Sequence, residues 1–419
     1  MTSKPQAVPL FPILLVHFIG TFGFSIVLPF LVFLTDRFGG NAVIYGIMGA
    51  TYPTFQLIGA PLLGRWSDHY GRRKVLFVSH CGTLLSWAIL LTAFFVPMIT
   101  LLDVDSVILG EFLLTIPLLI LFLARGLDGL TGGNVSVAHA YLADVSREED
   151  RNKNFGKLAM AANVGFVMGP ALAGILGGTK YEEMIPIAAA LLISLAAAII
   201  IAVYLPESKM EAKPEDAGEQ TPDTAPKAKA RFSVIFTLPT VPFVLGLYFL
   251  IFVGFNLFYT AFPVHALKTL MWSVPEMGFF FAFIGFSLAV VQGPLLSKLS
   301  KRYSDRVLAI IGSFLLGTNF ILMASTNIIF IFCGALLFAL GNGLMWPSVL
   351  SILSKVAGEE HQGLVQGVAG SAASLASIIG LILGGFLYDM VGAITFWVSS
   401  GIIYIVFLLL LRFLRMNEN

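Results

Sequence analysis

The sequence predicts an all-α membrane protein, twelve transmembrane helices arranged as two pseudo-symmetric six-helix bundles. Three observations lead there. Of 419 residues, 57% are hydrophobic and only 12% charged, and mean hydropathy is +0.89. A soluble domain carries about 25% charged residues, so this chain has too little polar surface to face water. Twelve apolar stretches are each long enough to cross a bilayer, which takes about 20 residues at about 1.5 Å rise. The stretches fall into two sets of six around one polar segment, and the second set repeats features of the first.

In chain order the first set covers 10–35, 43–63, 74–98, 116–143, 153–177 and 183–204. The second covers 238–262, 275–297, 306–326, 328–353, 363–388 and 391–413. Residues Met1 to Val8 run straight into the first span without a small-residue cleavage site, so that span is expected to be retained. Alternating loops place Arg65, Arg72, Arg73, Lys74, Arg147, Lys298, Arg302 and Lys355 on one side. The other side receives only Arg37, Lys180 and Lys268. The basic side is the cytoplasmic one, and it also takes both termini. Asp103, Asp105 and Glu111 fall in a long outer loop and read as solvated charges.

Residues 205–231 are rich in Pro, Glu, Lys, Ala and Thr and have no apolar period. Such a stretch does not bury enough surface to fold alone. It divides the chain into a bundle over 1–204, a cytoplasmic linker over 205–231 and a bundle over 232–419. Glu148-Glu149, Gly156, Gly169 and Gly174 recur 211 positions later as Glu359-Glu360, Gly367, Gly380 and Gly385. Pro61-Leu62-Leu63 also recurs as Pro294-Leu295-Leu296. Parallel repeats of six helices imply two bundles rocking about a site at the membrane midplane.

Three motifs carry more than topology. The segment after the second span reads Gly64-Arg65-Trp66-Ser67-Asp68-His69-Tyr70-Gly71-Arg72-Arg73. The fourth span holds Arg125-Gly126-Leu127-Asp128-Gly129, and the fifth holds Gly165 to Gly174 with Gly169 and Pro170 between them. These segments resemble the G-x-x-x-D-x-x-G-R-R, R-x-x-x-G and G-x-x-x-G-P-x-x-x-G motifs of the major facilitator superfamily. Within it, the chain is most similar to the twelve-helix drug:proton antiporters, in particular the tetracycline-exporter branch. The resemblance implies the major facilitator fold and proton-coupled export. It also implies a cytoplasmic latch formed by Gly64, Asp68, Gly71, Arg72 and Arg73 with Asp144. Tetracycline exporters carry acids in the first and third spans where this chain has Gly20 and Ser86. In the second half Lys301 stands where the first has Asp68.

Physically, Gly64 and Gly71 permit close backbone approach and tight turns. Asp68 is expected near a helix N-terminus of the other half, where the dipole favours a carboxylate. Arg125 and Asp128 lie three apart on one helix face and should pair inside the bundle, since a bare charge in hydrocarbon costs about 2.5–3.5 kcal/mol on insertion scales. Asp128 is either the proton-carrying acid or half of a permanent ion pair. His17 is the other candidate proton carrier. The fifth-span glycines bring helices close, and Pro170 bends or stiffens that helix. In the superfamily the first, fourth, seventh and tenth helices line the cavity. That likeness places Asn134, Phe255, Asn256, Tyr259, Asn342 and Trp346 toward substrate, with interhelical hydrogen bonding as the alternative for each polar residue.

Net charge is +1, so no nucleic-acid partner is implied. Cys81 and Cys333 both sit in apolar runs, and no metal-ligand spacing or cofactor motif is present. No nucleophile–base pair or P-loop suggests an enzyme. The expected partners are a small-molecule substrate, protons and the lipid bilayer, for a monomer in a bacterial inner membrane. Two functions compete: a proton-coupled exporter of amphiphilic drug-like compounds, and a dedicated transporter of one metabolite such as a siderophore, sugar or amino acid.

Overall fold

The computed structural model describes residues 10–132, 134–147, 150–208, 238 and 240–416. Most of the predicted linker, both extreme termini and the side chain of Asn134 lie outside the described residues. Ten helices among the described residues are long and apolar enough to cross a membrane, or eleven if one bent pair is a single span. That pair is α1 (Phe11–Ile26) and α2 (Leu31–Arg37), bent by 42°. The bend falls at Pro29, which cannot donate to the helix ladder. The second predicted span is α3 (Ala42–Tyr70), a 29-residue helix. It is not among the ten because Tyr52, Pro53, Thr54 and Gln56 dilute its apolar run.

The remaining spans of the first half are α4 (Arg72–Thr92), α5 (Ile116–Thr131) continued by α6 (Asn134–Val145), α7 (Arg151–Gly177) and α8 (Met184–Tyr204). The second half has α9 (Val241–Lys268), α10 (Val274–Val290), which runs through a π-helical turn at Val291–Leu295 into α11 (Leu296–Leu299), and α12 (Asp305–Met323). It closes with α13 (Ile328–Val391), bent at Gly358 where φ is +68°, and α14 (Ile394–Met416). Local chemistry sets several starts. Thr115 accepts from the Leu118 N–H at 3.2 Å with Pro117 in the first turn. Ser304 and Asn327 cap α12 and α13 in the same way.

Two expectations need correction. The outer loop between the third and fourth spans is a β-hairpin, β1 (Thr100–Ser106) against β2 (Gly110–Thr115), antiparallel with Asp105 opposite Glu111. Alternation through Leu102-Asp103-Val104-Asp105 has the period of a strand, and the hairpin is an outer connection of an α-helical fold. The three acids of that hairpin are exposed, as expected for solvated charges. The charged segment Gly64–Tyr70 is helical, and only Gly71 (φ +100°) breaks α3 from α4.

The described chain forms two units. Unit 1 takes residues up to Asn41, Thr51–Glu211 and Trp272–Ala282, and unit 2 takes Ala42–Ala50, Ala212–Met271 and residues from Phe283 onward. In unit 1, Ile13, Val16, Leu76, Tyr141, Leu142 and Ile201 form a buried cluster. Unit 2 is centred on Phe258, whose ring meets Phe262, Phe320, Phe338 and Phe396 at 4.9–6.1 Å. Both units contain glycine-on-glycine crossings. A Cβ on Gly174 would lie 3.0 Å from the Gly278 Cα and 3.1 Å from the Pro275 carbonyl. A Cβ on Gly46 would lie 3.2 Å from the Gly385 Cα. Gly174 and Gly385 are 211 positions apart, so the repeat read in the sequence places equivalent crossings.

Outside the spans, Arg37 bridges Glu182 and Glu183, each at 3.0 Å. Glu183 caps α8 and is buried, and that burial raises its pKa above the ordinary glutamate value despite the arginine. A raised folded pKa means the folded state holds the proton longer than the unfolded chain. Its contribution is therefore lost as pH rises from the unfolded value through the folded one. Glu183→Gln is expected to hold or raise Tm at neutral pH, with the advantage over wild type vanishing on acidification. Melting curves across that range check it, and a Tm deficit at neutral pH contradicts it.

Candidate functional site

Polar side chains are costly inside a bilayer, so those that converge there mark a site. In unit 1 they converge on a cavity of about 270 Å³. Gly20, Thr21 and Phe24 reach it from α1, Tyr52 and Gln56 from α3, His80 and Thr83 from α4, Asp128 from α5 and Ser194 from α8. Asp128 is 8% exposed. One of its oxygens meets Arg125 Nη1 at 3.3 Å, and Thr83 hydrogen-bonds the same carboxylate. The guanidinium of Arg125 lies over the Tyr52 ring at 4.9 Å. The predicted pair thus exists, with the cation held against an aromatic face and the carboxylate bordering open space. Gly20 and Ser86 fare differently. Gly20 borders this cavity, whereas the buried Ser86 donates to the Thr83 carbonyl at 2.7 Å.

His17 does not border the large cavity. It lines a second, smaller one of about 10 Å³ together with Gly20, Thr21 and His80. Its ring centroid is 5.7 Å from that of His139 on α6.

The latch residues come together around Arg72. Its guanidinium reaches Asp68 at 2.5 Å, Asp144 at 3.1 Å and the Ser67 hydroxyl at 2.7 Å. Asp68 near the end of α3 and Arg72 at the start of α4 pair across the break at Gly71, so one partner of the carboxylate lies in its own segment. Arg73 donates from its backbone N–H to Glu207 at 2.9 Å, and its guanidinium caps the Ile201 and Ala202 carbonyls at the end of α8. The Glu207 carboxyl sits 2.9 Å from where a Cβ on Gly71 would lie, which with its positive φ explains the glycine. Gly64 has open space around that position, so the expected close approach does not occur there. Ser208 also donates to Asp144 at 3.3 Å.

The second half carries the same device with the charges exchanged. Asp305 accepts from Lys355 Nζ and from Ser351 Oγ, both at 2.6 Å. Asp305 follows Arg72 by 233 positions, the spacing of Pro61 and Pro294, while Lys355 follows Asp144 by 211, the spacing of the glycine pairs. Lys301 at the Asp68 position fits this reversal, so the second charged segment is inverted relative to the first.

The fifth-span motif seats α7 on α1. A Cβ on Gly165 would lie 2.7 Å from the Phe18 carbonyl, and one on Gly169 would strike the Ser25 hydroxyl and approach the Ile26 nitrogen to 2.8 Å. Ser25 in turn donates to the Gly165 carbonyl at 3.1 Å. Pro170 lies within α7 with no break in the helix.

Of the predicted substrate residues, Asn256 is 6% exposed and donates to the Phe252 carbonyl at 2.8 Å and to Ser377 at 3.1 Å. It bonds between helices, the alternative that the sequence left open. Phe255 and Tyr259 stack at 5.6 Å, and Trp346 packs on Phe252 and Tyr248 at 4.4 and 5.4 Å. Asn342 is half-buried on α13. Sequence reasoning missed Tyr52, His80, Thr83, His139, Asp305 and Lys355. The spacings of 211 and 233 were available to find the last two.

The sequence profile of the Major Facilitator Superfamily matches residues 13–317 and again 244–419. The chain belongs to that superfamily. It is 27% identical to the tetracycline resistance protein, class D, of Salmonella ordonez over 390 residues, covering 92% of this chain and 90% of that protein. The human organic anion transporter MFSD10 (TETRAN) superposes with a TM-score of 0.65 at 23% identity, covering 97% and 100% of the two chains. A D-xylose-proton symporter gives 0.73 at 16% identity over 96% of each. These superpositions establish the fold. As a member of the superfamily, this is an integral membrane protein of a transporter family.

Proposed function

We propose that this chain is a proton-coupled exporter of amphiphilic small molecules, working by alternating access in a bacterial inner membrane. Its two bundles, 1–204 and 232–419, move about the 205–231 linker, with both termini cytoplasmic and the monomer as the working unit. The observation that carries this reading is Asp128, whose carboxylate borders a cavity that also has aromatic walls, Phe24 and Tyr52. An acid there is placed to exchange a proton for a cationic or neutral amphiphile. Arg125, folded onto Tyr52, is less accessible to an anion. The similarity to tetracycline resistance proteins supports export. The polar lining of Thr21, Gln56, His80 and Thr83 favours the second reading, a dedicated transporter of one polar metabolite.

Thermal melting of the purified protein against lipophilic cations, antibiotics, siderophores, sugars and amino acids at two pH values separates the two. A ligand at about 100 times its Kd stabilises the folded state by about 2.7 kcal/mol, well within what a melting curve reads. Several unlike amphiphiles should raise Tm, more strongly at the higher pH, where the acid is empty. Stabilisation by a single narrow polar class at both pH values contradicts export of amphiphiles.

A further inference from the structure

Three of the six histidines of this chain stand on three different helices of unit 1 and follow one another from surface to interior. His139 on α6 is exposed, His17 on α1 is 7% exposed, and His80 on α4 is 2% exposed. His139 and His17 are ring neighbours at 5.7 Å, and the far side of His139 meets the Phe155 ring at 5.6 Å. His17 and His80 share the small cavity of about 10 Å³, space for about one water, with Thr21 as a third polar partner. His80 also borders the large cavity with Asp128. No group of three or more His, Cys, Asp or Glu able to hold a metal occurs among the described residues, so the cluster is not a metal site.

His80 has a further feature. Its Nδ1 lies 3.0 Å from the Leu76 carbonyl, which only accepts, so Nδ1 carries the hydrogen in the neutral ring. Its Nε2 is then the ring's acceptor nitrogen, buried and without a hydrogen bond of good geometry, although the Val16 carbonyl also approaches the ring. A buried nitrogen without a well-made hydrogen bond costs free energy, and His80 lines both cavities, where water can bring it a proton.

We infer that His139, His17 and His80 form a proton route that loads and unloads Asp128. This rests on the proposed proton coupling and names the residues that serve it. A hydronium in the small cavity gives its proton to His80: one N–H bond forms at Nε2, one O–H bond breaks, and water is left. The same N–H bond then breaks as a carboxylate oxygen of Asp128 takes the proton, by way of water in the large cavity, and the imidazole is neutral again. Proton entry and exit both use Nε2, because Nδ1 is held by Leu76. The other groups facing the route are Arg125, paired with Asp128 on α5, Tyr52 on α3 and the uncharged Ser194 on α8.

The test uses the proton alone as probe. Light releases protons from a caged acid into purified wild-type protein, and infrared absorption follows the carboxylic-acid band that Asp128→Asn removes. In His80→Gln and in His17→Gln that band should reach the same amplitude but rise at least about tenfold more slowly, the lower end of what a positioned proton carrier supplies. His139→Ala should slow it too, and free imidazole should restore the rate at this exposed position. Unchanged rates in His80→Gln and His17→Gln overturn the route while leaving Asp128 as a titrating acid. Absence of any Asp128-dependent band in wild type overturns the coupling reading, and the route with it. If one glutamine variant fails to fold, as judged by its melting curve, the other carries the test.

Discussion

Asp128→Asn is expected to abolish transport driven by a pH gradient, by at least about 100-fold, while leaving exchange of substrate for substrate intact. The variant keeps the shape of the side chain and a hydrogen-bond acceptor for Thr83, and loses only the titratable oxygen. Net transport needs a proton to move one way as substrate moves the other, whereas exchange returns the protein through the loaded state and needs no net proton. The measurement is made in proteoliposomes with whichever compound most raises Tm in the stability screen. The competing account, a permanent ion pair with Arg125, makes a different forecast. Removing one partner of a buried pair costs about 3–5 kcal/mol, so Tm, exchange and gradient-driven transport would fall together. Retention of gradient dependence in a folded variant removes Asp128 from the coupling step altogether.

Bilayer physics made most of the fold legible in advance. Span positions follow from apolar length, and Gly174 and Gly385, matched at 211 positions in the sequence, each stand at a glycine-on-glycine crossing. The misses have local causes. Leu102 to Ser106 alternates with a strand period, but its apolar residues follow closely on those of the neighbouring span and blur into them. Gly64 to Tyr70 carries enough charge to look like a loop, yet nothing in it forbids helix until Gly71. The site was less legible. Helix spacing placed Arg125 beside Asp128, because a pair on one helix face is set locally, whereas Arg72 beside Asp144, 72 positions away, came only from the resemblance to the superfamily. His80, Thr83 and Tyr52 reach Asp128 from helices up to 76 positions away in sequence, and single-chain periodicity has no information on which helices adjoin. For Asn256, polarity within a span was equally consistent with a cavity wall and with a bond to a neighbouring helix, and Ser377 supplies that bond.

The inverted second half makes the latch testable by charge exchange. Arg72 bridges Asp68 and Asp144, and its own side chain is only 16% exposed. Arg72→Asp should therefore gather three carboxylates around one point and reduce transport by about 5–150-fold, the range of a conformational coupling worth about 1–3 kcal/mol. Adding Asp144→Arg recreates the polarity that Asp305 and Lys355 already use in the second half, and should recover part of the loss. Recovery stays partial because Asp68 still faces a like charge four residues on. Adding Asp68→Lys, which copies Lys301, supplies the missing opposite charge and should bring transport closer to wild type than the double variant. If the charges only anchored the segment at the membrane surface, the three variants would rank by net positive charge on the cytoplasmic side. The single variant removes two positive units, and the double variant restores them. The triple variant adds two more. The interaction reading and the anchoring reading therefore both expect rescue, and a fourth variant separates them. Asp144→Arg alone adds positive charge but sets Arg72 against a like charge. Anchoring forecasts full transport for it, and the latch forecasts a loss comparable to that of Arg72→Asp. Full transport by Asp144→Arg, with correct membrane insertion, would leave the bridge at Arg72 without a role in the transport cycle.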